Sequence, residues 1–125
     1  MSQKVLVLGA SLKAERYSNL AINMLLDYGH EVIAVGLKVG DIRGVQIQKE
    51  MPTEAHLDTV TLYLSPENQT PYYDSIIALK PQRVIFNPGT ENPVFMEKLK
   101  SAGINVEVAC TLVLLRTNQF EVISA

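Results

Sequence analysis

Four short segments of this 125-residue chain carry side chains whose types and spacing suit an anionic ligand. The first is Gly9-Ala10-Ser11-Leu12-Lys13-Ala14-Glu15-Arg16-Tyr17-Ser18. Gly9 permits a tight turn and lets a ligand come close to the Gly9-Ala10 backbone. Ser11 and Ser18 offer hydroxyls, and Lys13 and Arg16 offer positive charge. The segment runs into a helix, whose free N-terminal N–H groups and positive dipole end attract phosphate. The dinucleotide fingerprint G-x-G-x-x-G is not complete here, because only Gly9 fits and the loop is longer than the standard turn. The second segment is Val35-Gly36-Leu37-Lys38. Where an NAD site places Asp or Glu for the ribose 2′-hydroxyl, this chain has Lys38, which suits a phosphate on the ribose. A solvated surface lysine is the structural alternative. The third, Asn87-Pro88-Gly89-Thr90-Glu91-Asn92, pairs hydrogen-bonding side chains with a glycine that allows close approach; Asn92 is equally explained as a helix cap. The fourth is Cys110-Thr111, which carries the chain's one thiol.

For these segments to meet, a particular set of elements must carry them. Continuous apolar runs at Val5–Leu8, Val32–Val35, Val60–Leu64, Val84–Phe86 and Val106–Ala109 read as strands covered on both faces. Helical spacing separates them. One helix is predicted over about Asn19–Tyr28, with Leu20, Met24, Leu25 and Tyr28 on its buried face and Gly29 as C-cap. A second, capped by Thr70, is predicted to end at Leu79 before Lys80-Pro81. A third runs over about Pro93–Ala102, capped by Asn92, with Phe95, Leu99 and Ala102 inward. The stretch from Gly36 to Thr53 reads as loop, with a short helix near Thr53–His56. Alternating strands and helices imply right-handed crossovers and a three-layer α/β domain. The expectation is one domain over residues 1–125, built on a doubly wound parallel sheet of about five strands in the order 3-2-1-4-5. All four segments then leave C-terminal strand ends, where such sheets bind ligands.

Composition narrows the classes. The chain is 47% hydrophobic and 19% charged, with a net charge of -2. No broad nucleic-acid or anionic-membrane surface is expected. A single cysteine cannot form an internal disulfide, which with the absence of a signal-peptide pattern or a membrane span points to the cytoplasm. His56 beside Glu54 and Asp58 lacks a second nitrogen or sulfur ligand and a metal-site spacing, so no metal is expected. His30 falls on the edge opposite the four segments and reads as structural. Neither histidine is expected near Cys110, so no base is at hand to make a nucleophile, and no catalytic residue is assigned.

The chain also resembles the small stand-alone CoA-binding proteins, which share the N-terminal nucleotide-binding module of succinyl-CoA synthetase. The resemblance rests on Val7-Leu8-Gly9-Ala10-Ser11, Arg16-Tyr17-Ser18, Tyr28-Gly29-His30-Glu31-Val32, Arg83-Val84-Ile85-Phe86-Asn87-Pro88-Gly89 and Ala109-Cys110-Thr111. It covers nearly the whole chain. It implies a Rossmann-type domain that takes the CoA diphosphate and adenosine near Gly9, Ala10, Ser11, Arg16, Ser18 and Lys38. The family's second-strand loop commonly reads Val-Asn-Pro-Lys; here Gly36-Leu37 replaces Asn-Pro, while Lys38 remains. The chain is too short for the synthetase's ligase domain and phosphorylated histidine. The leading expectation is therefore non-enzymatic binding of coenzyme A or acyl-CoA, by Gly9, Ala10, Ser11, Lys13, Arg16, Ser18 and Lys38 on one side and Asn87, Pro88, Gly89 and Cys110 on the other. The alternatives are an NAD(P)-binding oxidoreductase-type domain and a regulatory subunit that has lost its ligand. A homodimer or a larger enzyme partner is compatible with so small a chain.

Overall fold

The computed structural model describes residues 2–121. It is an α/β fold around one mostly parallel sheet of seven strands in the order β3-β4-β2-β1-β5-β6-β7. The strands are β1 (Lys4–Leu8), β2 (Glu31–Val35), β3 (Gly40–Ile42), β4 (Val45–Gln48), β5 (Thr59–Leu62), β6 (Arg83–Phe86) and β7 (Asn105–Val108). The helices are α1 (Tyr17–Asp27), α2 (Pro66–Gln69), α3 (Tyr73–Leu79), α4 (Pro93–Ser101) and α5 (Thr111–Arg116), with a 3₁₀ turn at Thr70–Tyr72. Among the described residues no helix is long and apolar enough to cross a membrane.

Central strands are apolar on both sides because both sides are covered. Val5 and Val7 pack with Ile22 and Leu25 of α1 and Leu114 and Leu115 of α5. Leu6 and Leu8 turn the other way and pack with Ile76 and Leu79 of α3 and Phe95 and Leu99 of α4. Phe95 is the hub of that second layer, stacked on Tyr73 with ring centroids 4.2 Å apart and edge-on to Phe86 at 5.9 Å.

Several sequence expectations are corrected. The sheet has seven strands rather than about five, and the strand at Thr59–Leu62 lies beside β1 and β6, not beyond β2. The place beyond β2 is taken by a hairpin in the stretch read as loop. Its strand β4 runs parallel to β2, and β3 returns antiparallel on the outer edge. Arg43 (φ 51°) and Gly44 (φ 92°) form a two-residue turn between the paired Ile42 and Val45, the geometry that matches strand twist in a tight hairpin. No helix forms at Thr53–His56. Thr70 does not cap a helix, because α2 already starts at Pro66 and Thr70 continues in helical geometry. The buried face of α1 is Ala21, Ile22 and Leu25, whereas Leu20 and Tyr28 are exposed. Ala102 is exposed as well, just past the end of α4.

At the N-terminal edge of the sheet a buried polar knot closes the fold. Arg83 is 1% exposed and donates to Thr59 Oγ1 (2.9 Å), the Phe120 carbonyl (2.8 Å) and Glu107 Oε1 (3.1 Å). Its guanidinium also lies 4.7 Å from the centre of the Phe120 ring. This ties the segment after α5 across the sheet. His30 is buried in the same knot, its Nδ1 accepting from the Gln3 N–H at 3.0 Å.

Candidate functional site

The opposite edge of the sheet collects the loops after β1, β2, β4, β5, β6 and β7. The loop after β1 is locked by its first two residues. The N–H groups of Gly9 and Ala10 both donate to the Val35 carbonyl at 2.9 Å. Those two amides therefore hold the loop to β2, and what Gly9 and Ala10 offer a ligand is close approach. Gly9 takes φ +95°, and a Cβ there would meet the Tyr63 backbone at 3.0 Å. Gly36 has a different constraint: a Cβ would lie 2.2 Å from the Ala10 carbonyl oxygen. The loops after β1 and β2 are thus pressed together, and Leu12 closes the outside by lying over Gly40.

From there the chain is steered into α1 by a relay of short polar contacts. Ser11 Oγ accepts from the Lys13 N–H (3.1 Å), and the Ser11 carbonyl accepts from Asn19 Nδ2 (2.9 Å). Asn23 Nδ2 in turn donates to Asn19 Oδ1 (3.0 Å), and Arg43 of the hairpin donates to the Asn23 carbonyl (3.1 Å) and to Asp27 (2.8 Å). Arg16 is the N-cap residue of α1, in extended geometry, with no side-chain cap on the first turn and no acid within it. Helix α4, which starts from the same edge, differs: Asn92 Oδ1 accepts from the Phe95 N–H at 3.1 Å and caps it internally. The first turn of α1 therefore presents uncapped N–H groups and a positive dipole end. Lys13, Arg16 and Lys38 are exposed in the loops after β1 and β2, and none of the ion pairs among the described residues uses them. Ser18, in the first turn itself, is buried.

The wall after β5 and β6 is wired from within. Asn87 is 2% exposed; its Nδ2 donates to Thr61 Oγ1 (2.6 Å) and the Leu62 carbonyl (2.8 Å), and its Oδ1 accepts from the Thr111 N–H (2.9 Å). It clamps β5, β6 and the start of α5 together. Thr61 and Thr111 share a hydrogen bond of 2.8 Å. Gln69 bridges the Leu64 and Thr90 carbonyls (2.9 and 2.8 Å), and Asn92 Nδ2 reaches Gln69 Oε1 (3.0 Å) and the Tyr73 hydroxyl (2.8 Å). Pro88 and Gly89 stand exposed at the tip, and the Gly89 N–H donates to Glu91 Oε1 at 2.8 Å. Cys110 is half-buried at the start of α5. The Tyr63 hydroxyl lies buried beside Thr61 and Thr111 but makes no well-aligned hydrogen bond among the described residues, and burial, opposed by the two threonine hydroxyls, pushes its pKa up to about 12.

All eleven residues expected at the site thus belong to loops or helix starts on one edge. Arg16, Lys13, Lys38, Pro88 and Gly89 are exposed there, while Ser18 and Asn87 face inward. Sequence reading missed Asn19, Thr61 and Gln69, and it gave no role to Thr111 and Glu91 within the segments it named. The one available signal was the spacing of Asn19 and Asn23, four apart on α1. His30 sits in the knot on the other edge, and His56 lies exposed in the segment entering β5. Among the described residues no three His, Cys, Asp or Glu side chains are placed to hold a metal ion.

Comparison with known proteins places this edge in context. The family model described as a CoA binding domain matches residues 3–116. A solved structure described as an uncharacterized protein shares 47% identity, covering 96% of this chain and 99% of its own, with a TM-score of 0.92. Structures from Thermus thermophilus (24% identity, TM-score 0.84, covering 95% of this chain and 91% of that one) and Pyrococcus horikoshii (23%, 0.84, 94% and 84%) share the fold. No curated protein matches the chain.

Proposed function

The chain belongs to the CoA binding domain family, and from that premise we propose that it binds coenzyme A or an acyl-CoA without transforming it. The observation that carries the reading is the uncapped first turn of α1, entered from a loop that carries Lys13 and Arg16, with Lys38 in the adjoining loop after β2 and none of the three in an ion pair among the described residues. Phosphate oxygens meet N–H groups and a positive dipole end there. In this reading the diphosphate lies over Arg16 and the buried start of α1, against the close-packed Gly9-Ala10-Ser11 backbone. The phosphate on the adenosine ribose is met by Lys38. The pantetheine tail runs the other way along the edge, toward Pro88, Gly89 and Cys110. Binding without turnover is supported by the placement of His30 on the opposite edge, far from any base role at Cys110.

The test is calorimetry of the purified protein with CoA, acetyl-CoA, NAD, NADP and ATP. Binding of CoA and acetyl-CoA is expected, with NAD much weaker. Arg16→Ala and Lys38→Ala should each weaken CoA, by roughly five- to a hundredfold for a charge-assisted phosphate contact. A preference for NAD, or CoA binding indifferent to both substitutions, overturns the reading.

A further inference from the structure

We propose, resting on the CoA reading above, that Glu91 makes the tail end of the site selective for a free thiol or an uncharged acyl group over an acyl group ending in a carboxylate. The edge is electrically lopsided. The loops after β1 and β2 hold three cations, Lys13, Arg16 and Lys38, against one acid, Glu15. The loops after β5, β6 and β7 (residues 63–65, 87–92 and 109–110) contain no Lys or Arg and include Glu91. Helix α2, joined to the β6 loop through Gln69, adds the exposed Glu67. Helix α4 carries Lys98 and Lys100 in its last turn, at its far end. From β1 to β6 is two strand spacings, about 10 Å, comparable to the screening length at about physiological salt. The cations at one end therefore do little for a charge at the other.

Glu91 is also held in place. Its carboxylate accepts the Gly89 N–H at 2.8 Å, in a loop pinned by Thr90 Oγ1 on the Asn87 carbonyl (2.7 Å) and by Gln69 on the Thr90 carbonyl (2.8 Å). The donor that a ligand carboxylate would seek at this glycine tip is already taken by a negative charge. A polyanionic head with a neutral tail matches the edge from end to end. A succinyl thioester would bring its terminal carboxylate against Glu91.

The experiment is calorimetry with CoA, acetyl-CoA and succinyl-CoA on the natural protein, Glu91→Gln and Glu91→Lys, read as the ratio of succinyl-CoA to acetyl-CoA dissociation constants. The natural protein should bind succinyl-CoA more weakly than acetyl-CoA by about fivefold, the scale of one exposed charge pair. Glu91→Gln keeps an acceptor for Gly89 and should bring the ratio to about one, and Glu91→Lys should invert it. A natural ratio near one, or a ratio unmoved by both substitutions, overturns the selectivity. If CoA and acetyl-CoA themselves do not bind, the underlying reading falls and takes this one with it; if they bind without discrimination, only this one falls.

Discussion

Gly36→Ala is the sharpest test of how the site is assembled. The added Cβ would stand 2.2 Å from the Ala10 carbonyl oxygen, with Ala10 C at 3.1 Å and Ile47 Cγ2 at 3.2 Å. The first contact is backbone against backbone, so no side chain can rotate away. Relief requires the two loops to part by about 1 Å, a shift of the kind that overpacking forces at about 1–3 kcal/mol. Parting them stretches the bonds from the Gly9 and Ala10 N–H groups to the Val35 carbonyl, both 2.9 Å. Losing those adds about 1 kcal/mol each. A total of about 3–5 kcal/mol is expected, which lowers the melting temperature by roughly 10–20 °C in a domain of this size. Ser11 and the start of α1 hang from Ala10, so CoA affinity should fall with stability. The control is Gly40→Ala, whose Cβ meets the Leu12 side chain first, at 2.5 Å. Leu12 is 44% exposed and can swing outward, so the loss there should be under about 1 kcal/mol. Thermal and urea unfolding of both variants decides the matter. Equal losses, or a Gly36→Ala protein of natural stability, would refute the claim that the loops after β1 and β2 are held in backbone contact.

Two further outcomes follow from buried polar groups. Asn87→Ala removes three hydrogen bonds from the β5–β6–α5 clamp and should cost about 2–4 kcal/mol in urea unfolding, whereas Tyr63→Phe, which deletes a buried hydroxyl that makes no well-aligned hydrogen bond among the described residues, should leave stability unchanged or raise it by up to about 1 kcal/mol; the reverse ranking would contradict the bonding described. The pKa of His30 is held below its ordinary 6.5, first by burial, with Glu121 opposing. The unfolded chain then takes up a proton before the folded one, so the neutral ring's contribution is complete above 6.5 and declines as pH falls below it toward the folded value. His30→Asn keeps an acceptor for the Gln3 N–H and should flatten that limb of the pH–stability curve, and an unchanged limb would assign the slope to other groups.

What could be read from residues alone follows from which ones report on themselves. Strands such as Val5–Leu8 and Val84–Phe86 announce a doubly covered sheet because every position is apolar. The cations at Lys13, Arg16 and Lys38 announce themselves by charge. Asn87, Thr61 and Gln69 do not: a buried polar side chain differs from an exposed one only in its partners, and those partners lie as far as 50 residues away in the chain. Asn87 could be read as facing a ligand as easily as facing Thr111. Glu91 was obscured in the same way, since its role depends on the Gly89 N–H at 2.8 Å rather than on its type.

The error in strand order has one cause, and it bears on the site. Strand β4 is four residues with Ile47 buried and Gln46 and Gln48 exposed, so it lacks the continuous apolar run of a central strand. It gains its place by pairing with β2 on one side and β3 on the other, contacts that appear only once the Arg43-Gly44 turn is recognised. Counting β4 as the third parallel strand gives the six parallel strands the order 3-2-1-4-5-6. The expected order 3-2-1-4-5 of about five strands differs from this sheet because position three was given to Thr59–Leu62 rather than to β4. That assignment matters because it moves β5 to the other side of β1. Tyr63 then packs against Gly9, and the hairpin, not β5, carries Gly40 beneath Leu12 and Arg43 to α1. The same hairpin follows directly on Lys38, so the segment whose identity was least legible is the one that adjoins the proposed phosphate end of the site.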